Sequence, residues 1–126
     1  MKDVLRTSKC LKKYRARRKI LGEGISNFDF NQNPTIKTWF YWKLIKNQFP
    51  YDKIASQHDL LVPKRKFEKE TDMLEIERNG LDYIKKSLGK NYDAFIINTE
   101  YNRTVSSHFH IHCIKYKYIT PTSELS

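Results

Sequence analysis

The sequence predicts an α+β domain: a mostly antiparallel sheet, one main helix, and a basic helical extension at the N-terminus. Three observations carry this expectation. Short apolar runs with strand-like alternation or continuity recur between turn signals, one stretch in the second half has a helical apolar stripe, and the densest cationic cluster precedes them all. With 126 residues the chain has room for a single hydrophobic core, so the expected organisation is an extension over 1–30 and one domain over 31–126.

The composition, 39% hydrophobic and 13% aromatic, is that of a folded protein. A net charge of +10, from 24 Lys+Arg against 14 Asp+Glu, favours polyanions such as nucleotides, nucleic acids or acidic surfaces, unless the lysines serve only solubility. Cys10 and Cys113 lie far apart, with neither metal-type spacing nor a disulfide framework, so reduced thiols in the cytoplasm are expected. No run approaches the ~18 apolar residues of a membrane span, and the basic N-terminus lacks the apolar stretch of a secretory signal. A soluble protein without a membrane partner is the expectation.

Along the chain, Lys12–Lys19 (KKYRARRK) packs six cations into eight residues. Val4, Leu5, Leu11, Tyr14 and Ile20 are spaced loosely as one helix face, and Gly22 and Gly24 supply a stop. Such a helix is either an arm for phosphate backbones or a solvated helix docked by its apolar side. Ser26–Pro34 is rich in loop formers. In TWFYWKLIKN, Phe40, Trp42 and Leu44 alternate with Tyr41, Lys43 and Ile45, the period of a strand, and the aromatics Trp39–Trp42 suit sheet packing. Pro50 turns the chain. Leu60–Val62 offers a short buried strand stopped by Pro63. Asp72 and Glu75 form a capping-box pattern before a helix whose stripe is Leu74, Leu81, Ile84 and Leu88. Lys85 and Lys86 fall in its last turn, Gly89 is the expected C′ residue, and Gly80 is a point where it could break. Ala94–Ile97 reads as a continuous apolar strand ending in polar residues. After the loop TEYNRTV a final strand runs to about Tyr118, and the tail TPTSELS is expected to fray.

That last strand holds the chemistry. In SSHFHIHCI (Ser106–Ile114), His108, His110 and His112 alternate with Phe109, Ile111 and Cys113. Alternate strand residues share a face, so the histidines are expected to line a cleft or solvent while Phe109, Ile111 and Cys113 fill the core. Two histidines at i and i+2 can chelate zinc if a third ligand, such as His58, joins them, although no HExxH or cysteine pair supports this. The three can also be an ordinary polar face, or His110 can be a nucleophile tuned by its neighbours. The lone GEG at Gly22–Gly24 is not a dinucleotide fingerprint, and no P-loop exists.

HFHIHCI resembles the His-φ-His-φ-His-φ-φ signature of the histidine triad (HIT) superfamily of nucleotide hydrolases and transferases. HDLLVPKR is similar to that family's His-x-Leu-φ-φ-Pro-Lys-Lys/Arg strand, AFIINTE to its asparagine-bearing strand, and NQFPYD to a turn of some branches. The order of strands and helix is also similar, and the resemblance runs from about Thr38 to Tyr116. The loop before the triad lacks the family's frequent glycines, Tyr51 stands where many members have histidine, and Lys66 follows PKR.

The resemblance implies a HIT-like fold and a reaction needing no cofactor and no metal. His110 would attack the α-phosphorus of a nucleoside phosphate derivative, such as a phosphoramidate, acyl phosphate or dinucleoside polyphosphate, giving a covalent nucleotidyl-histidine that water hydrolyses. His108 and His112 would orient His110 and bind phosphate oxygens. Ser106 and Ser107 would donate to the phosphoryl group, Asn98 would contact phosphate or ribose, and Asn47 the ribose. Asn98 as a strand-end cap and Asn47 as turn chemistry are the alternatives. Leu44, Ile45 and Phe49 would form an apolar base pocket, and His58 would be structural. Two other functions stay open: action on adenylylated or capped nucleic-acid ends held by Lys12, Lys13, Arg15, Arg17, Arg18 and Lys19, and a non-catalytic nucleotide- or RNA-binding module. Family members commonly pair as homodimers, an assembly the resemblance raises for this chain.

Overall fold

A computed structural model of the chain describes residues 5–21, 33–99 and 108–117, the side chains of residues 17–21 excepted. Its elements are α1 (Ser8–Leu21), β1 (Thr35–Thr38), β2 (Trp42–Lys46), β3 (Ala55–Pro63), α2 (Glu75–Leu88), β4 (Ala94–Ile96) and β5 (Ile111–Tyr116). The five strands form one antiparallel sheet in the order β1-β2-β3-β5-β4. The α+β class is therefore the expected one, with one more strand than the sequence predicts. β1 (TIKT) is exposed at every position and lies at a sheet edge, so it leaves no burial pattern to read.

Period-2 alternation gives the sheet two faces. On one, Trp42, Leu44, Leu61, Ile111 and Cys113 meet Leu81, Ile84 and Leu88 of α2, with Phe109 just ahead of β5 joining the same core. The alternation expected for Phe109, Ile111 and Cys113 thus holds. On the other face lie His58, Ile114 and His112, since His58 pairs with Ile114, and Leu60 with both His112 and Ile45.

Several local expectations are corrected. β3 is nine residues long rather than three, because Ala55, Gln57, His58 and Asp59 ahead of the apolar run also pair with β5, with a bulge at the exposed Ser56. β4 stops at Ile96 and is half-buried, as an edge strand is. Phe40 lies outside β2 and is 81% exposed. Leu74 is exposed, and Glu77 takes its place on the buried side of α2. The reason is a polar clamp. Glu77 accepts two bonds from Arg65, at 3.0 and 2.8 Å, and one from the Leu74 N–H at 2.7 Å. The helix start is therefore capped by Glu77 at Leu74 rather than by Asp72 and Glu75, and Asp72 belongs to a 3₁₀ turn, Glu70–Asp72. Arg65 also stacks on Phe67, while the Trp42 indole N–H donates to the Glu77 carbonyl at 2.9 Å, tying β2 to α2. The helix does not break at Gly80, which sits beside the Trp42 indole. Gly89 is the C-cap in right-handed helical geometry, so it is not a left-handed C′ residue.

α1 docks through Cys10 and Tyr14, which form a small core with Phe49. Thr7 ties its start to the turn between β2 and β3: its N–H and Oγ1 donate to Asp52 at 2.7 and 2.6 Å, and Oγ1 accepts the Cys10 N–H at 3.3 Å. Burial with a polar staple makes α1 a docked helix whose other side is cationic. Gly22, Gly24, the loop before Asn33, TEYNRTV beyond Thr99 and the tail lie outside the described residues.

Candidate active site

Of the three triad histidines only His112 is in a strand; His108 and His110 precede β5. They therefore do not share an ideal strand face. The bend at His108 lets its carbonyl fold back onto its neighbour, with His110 Nδ1 2.9 Å from His108 O. A carbonyl only accepts, so the proton of a neutral His110 sits on Nδ1 and the lone pair on Nε2. His108 itself reaches the end of β3, its Nε2 donating to Pro63 O at 3.0 Å.

His110 and His112 are each about 5% exposed, so the histidine face is a buried site rather than a solvent-facing cleft. Their rings meet edge-on, 70° apart with centroids at 5.1 Å. β3 brings in His58, diagonal to His112, with His58 Nε2 2.8 Å from His112 Nδ1. Proton bookkeeping fixes this pair. The Tyr51 N–H donates to His58 Nδ1 at 2.9 Å, so the proton of a neutral His58 is on Nε2 and is donated to His112 Nδ1. His112 then carries its own proton on Nε2, facing the Asn98 amide at 3.0 Å. That amide is also 3.2 Å from the Tyr51 hydroxyl. The amide nitrogen occupies that position, where it would meet the His112 Nε2–H donor to donor; exchanging the amide's nitrogen and oxygen lets the oxygen accept from both His112 and Tyr51.

His58 is pulled from its ordinary 6.5 down to about 3, first by burial and then by the positive charge of Arg6 and by His110. It stays neutral at physiological pH, as the relay requires. Burial pushes the Tyr51 phenol up, so it too remains protonated. Cys113, in the opposite core, is driven up to about 12, chiefly by burial and next by Asp59, which makes it a structural thiol. Among the described residues no three His, Cys, Asp or Glu side chains are grouped to hold a metal ion.

The structure sorts the expected site residues. His110, His112 and Asn98 come together, and His108 joins them through its carbonyl while its ring reaches Pro63. Asn98 also lines a cavity of about 350 Å³ with Lys69, Glu70, Thr71, Ile97, Thr99 and Phe109, a size in the range of small-molecule clefts. Asn47 is set in turn chemistry: its Oδ1 accepts the Phe49 N–H at 2.9 Å. Its nitrogen, 3.3 and 3.2 Å from the two ring nitrogens of His58, lies over that ring. The expected base pocket is not assembled. Leu44 faces α2, because neighbours in a strand point to opposite faces, and Phe49 is covered by Tyr14 in an edge contact at 5.3 Å. Ser106 and Ser107 lie outside the described residues. His58, read as structural, is hydrogen-bonded to His112. Tyr51 was visible only as a departure from the family pattern, and Arg6 had no signal at all.

No family model matches the chain, and neither does any curated protein. Among solved structures, a histidine triad protein from Clostridium difficile superposes with a TM-score of 0.50, over 71% of this chain and 84% of that one, at 19% sequence identity. This superposition shows that the chain has the histidine-triad fold.

Proposed function

We propose that this protein is a nucleotide hydrolase or transferase that cleaves at the α-phosphate through a covalent nucleotidyl intermediate on His110. The observation that carries the reading is the 2.9 Å contact between His110 Nδ1 and the His108 carbonyl, which leaves the lone pair on Nε2. In the first step Nε2 bonds to the α-phosphorus, and the bond from phosphorus to the leaving group breaks, the leaving group taking a proton. In the second, water forms the new P–O bond, gives up a proton and releases His110. Dividing one displacement into two lowers each barrier. His112, held by His58 and Asn98, supports the ring of His110, and His108 is steadied by Pro63. Ser106 and Ser107 are assigned the phosphoryl oxygens, and the cavity beside Asn98 the leaving group.

The test is mass spectrometry of the protein mixed with adenosine phosphoramidate or a diadenosine polyphosphate and quenched in denaturant at neutral pH. One nucleotidyl group is expected on the peptide containing His110. A peptide that stays unmodified under turnover defeats the mechanism and leaves a nucleotide-binding module.

A second substrate class is favoured by α1. Lys12, Lys13 and Arg15 are exposed on a helix whose other side is docked on the turn that feeds His58, and its sequence has no acidic residue. This cationic side is read as the holder of an adenylylated or capped nucleic-acid end, with Arg17, Arg18 and Lys19 continuing the run in sequence. Oligonucleotide binding measured by fluorescence anisotropy is expected to be salt-sensitive. Changing Arg15, Arg17 and Arg18 to Gln should weaken it at least tenfold and flatten the salt dependence by roughly two to three in log–log slope. Turnover of free nucleotides without measurable oligonucleotide binding counts against this class.

A further inference from the structure

Arg6 is a buried cation in an unusual setting. It is 5% exposed, and Nε donates to the Phe49 carbonyl at 3.0 Å. Its Nη1 is buried without a hydrogen-bond partner, and among the described residues no carboxylate pairs with it. Two aromatic faces hold it instead: the guanidinium carbon is 4.3 Å from the Tyr14 ring centroid and 4.9 Å from that of Tyr51. Tyr51 meets two histidines as well. Its ring stacks on His112, 22° from parallel at 5.0 Å, and lies 4.5 Å from His58. Tyr14, Arg6, Tyr51 and His112 are therefore one continuous stack, running from α1 to the histidine beside the proposed nucleophile.

A buried guanidinium without an anion is costly, and two π faces offset only part of that cost. A structure keeping one solely for packing gains nothing that Met or Leu would not supply. What a cation supplies here is a positive field at the His58–His112 pair. We propose that Arg6 is a positioning residue for the reaction: wedged between Tyr14 and Tyr51, it presses the Tyr51 ring onto His112 and keeps the His58–His112 pair uncharged, so that the chain of protons from the Tyr51 N–H to Asn98 stays set. The role rests on the reading of His110 as nucleophile, because a protonated His112 or a turned His58 would lose the support of that ring.

The groups facing the pair from each packed element agree with this. The turn after β2 offers neutral Asn47 and Tyr51; the segment before β5 offers His110; the residues after β4 offer Asn98. Asp52 is engaged by Thr7, and Asp59, on the opposite face of β3, by Gln57 and Tyr92. Arg6 is the charged side chain stacked against the pair's aromatic neighbour. The depression of His58, in which Arg6 is the second cause after burial, points the same way.

Nitrogen NMR of the imidazoles reads the pair directly, without turnover. In the wild type, His58 should stay neutral to below pH 4.5, and His112 should show the Nε2–H tautomer. In Arg6→Met the midpoint of His58 should rise by about one pH unit, a tenfold change in proton affinity. The acid limb of kcat/KM for a nucleotide substrate should then move up by the same one pH unit relative to wild type, the two proteins matching at about pH 8. Arg6→Lys, which restores the charge but not the flat stack, should recover most of the acid limb. An unchanged His58 midpoint in Arg6→Met overturns the proposal. So does a wild-type His58 titrating near its usual 6.5, an observation needing no variant to fold. If the imidazoles behave as expected but the wild type turns over no nucleotide, Arg6 keeps its role on the pair and the reading of the reaction is what fails.

Discussion

Replacing His110 with Ala is expected to lower nucleotide turnover by about 10⁴-fold or more, with little effect on nucleotide affinity. The size follows from the proposed role. Removing a nucleophile abolishes the covalent route, and what survives is the binding and electrostatic contribution of the rest of the site. The selectivity follows from geometry. His108 is held by Pro63 and His112 by His58, so the groups assigned to the phosphate keep their anchors when the His110 ring is removed. The ring is nearly fully buried, so a melting curve should accompany the kinetics to separate a lost nucleophile from a loosened fold. Turnover within tenfold of wild type in a folded variant sinks the assignment. His112→Ala should behave differently, lowering kcat less steeply, because it supports the reacting ring rather than forming the bond.

The second large effect is on stability and has a definite sign. His58 is neutral in the fold down to about pH 3, but in the unfolded chain it binds a proton near pH 6.5. Between those values the unfolded state holds more protons, so acid favours unfolding. The contribution of His58 is complete above pH 6.5 and is lost as pH falls, at about 1.4 kcal/mol for each unit crossed. Urea denaturation should show a wild-type loss of roughly 1.3 kcal/mol from this group between pH 7 and 5.5, and roughly 2.6 kcal/mol by pH 4.5. Asp52 and Glu77 are held below their usual values, Asp52 by Thr7 and Glu77 by Arg65, with burial opposing in both, so their contributions disappear only at lower pH. The window from pH 7 to 4.5 therefore lies above those two carboxylates, and the difference between wild type and a His58 variant, in which the other histidines cancel, reports the contribution of His58. In His58→Phe the portion due to His58 should vanish, leaving a flatter profile. Equal slopes in the two proteins refute the buried, neutral His58 on which the relay depends.

The sequence by itself determined whatever depends on local periodicity. Phe109, Ile111 and Cys113 were assigned to the core because side chains alternate along a strand, and Leu81, Ile84 and Leu88 because a helix repeats at 3.6 residues. The same reasoning failed where a neighbour distant in sequence decides. Glu77 displaces Leu74 from the buried side of α2 because Arg65, from the loop after β3, reaches down to its carboxylate. Leu44 and Ile45 look like two walls of one pocket in sequence, yet the pleat sends them to opposite faces.

The triad was legible as a pattern, but what gives its members different roles was not. His58 and His112 are 54 residues apart, and only the register of β3 on β5 makes them partners. Asn98 reaches His112 because β4 pairs with β5 on its other side. Tyr51 and Arg6 join through a turn and a docked helix, with contacts made by ring faces and a buried charge that leave no spacing in the sequence. Periodicity places a side chain on a face of its own element, whereas protonation depends on which groups other elements bring within hydrogen-bond reach. The tertiary structure decided the tautomers for that reason.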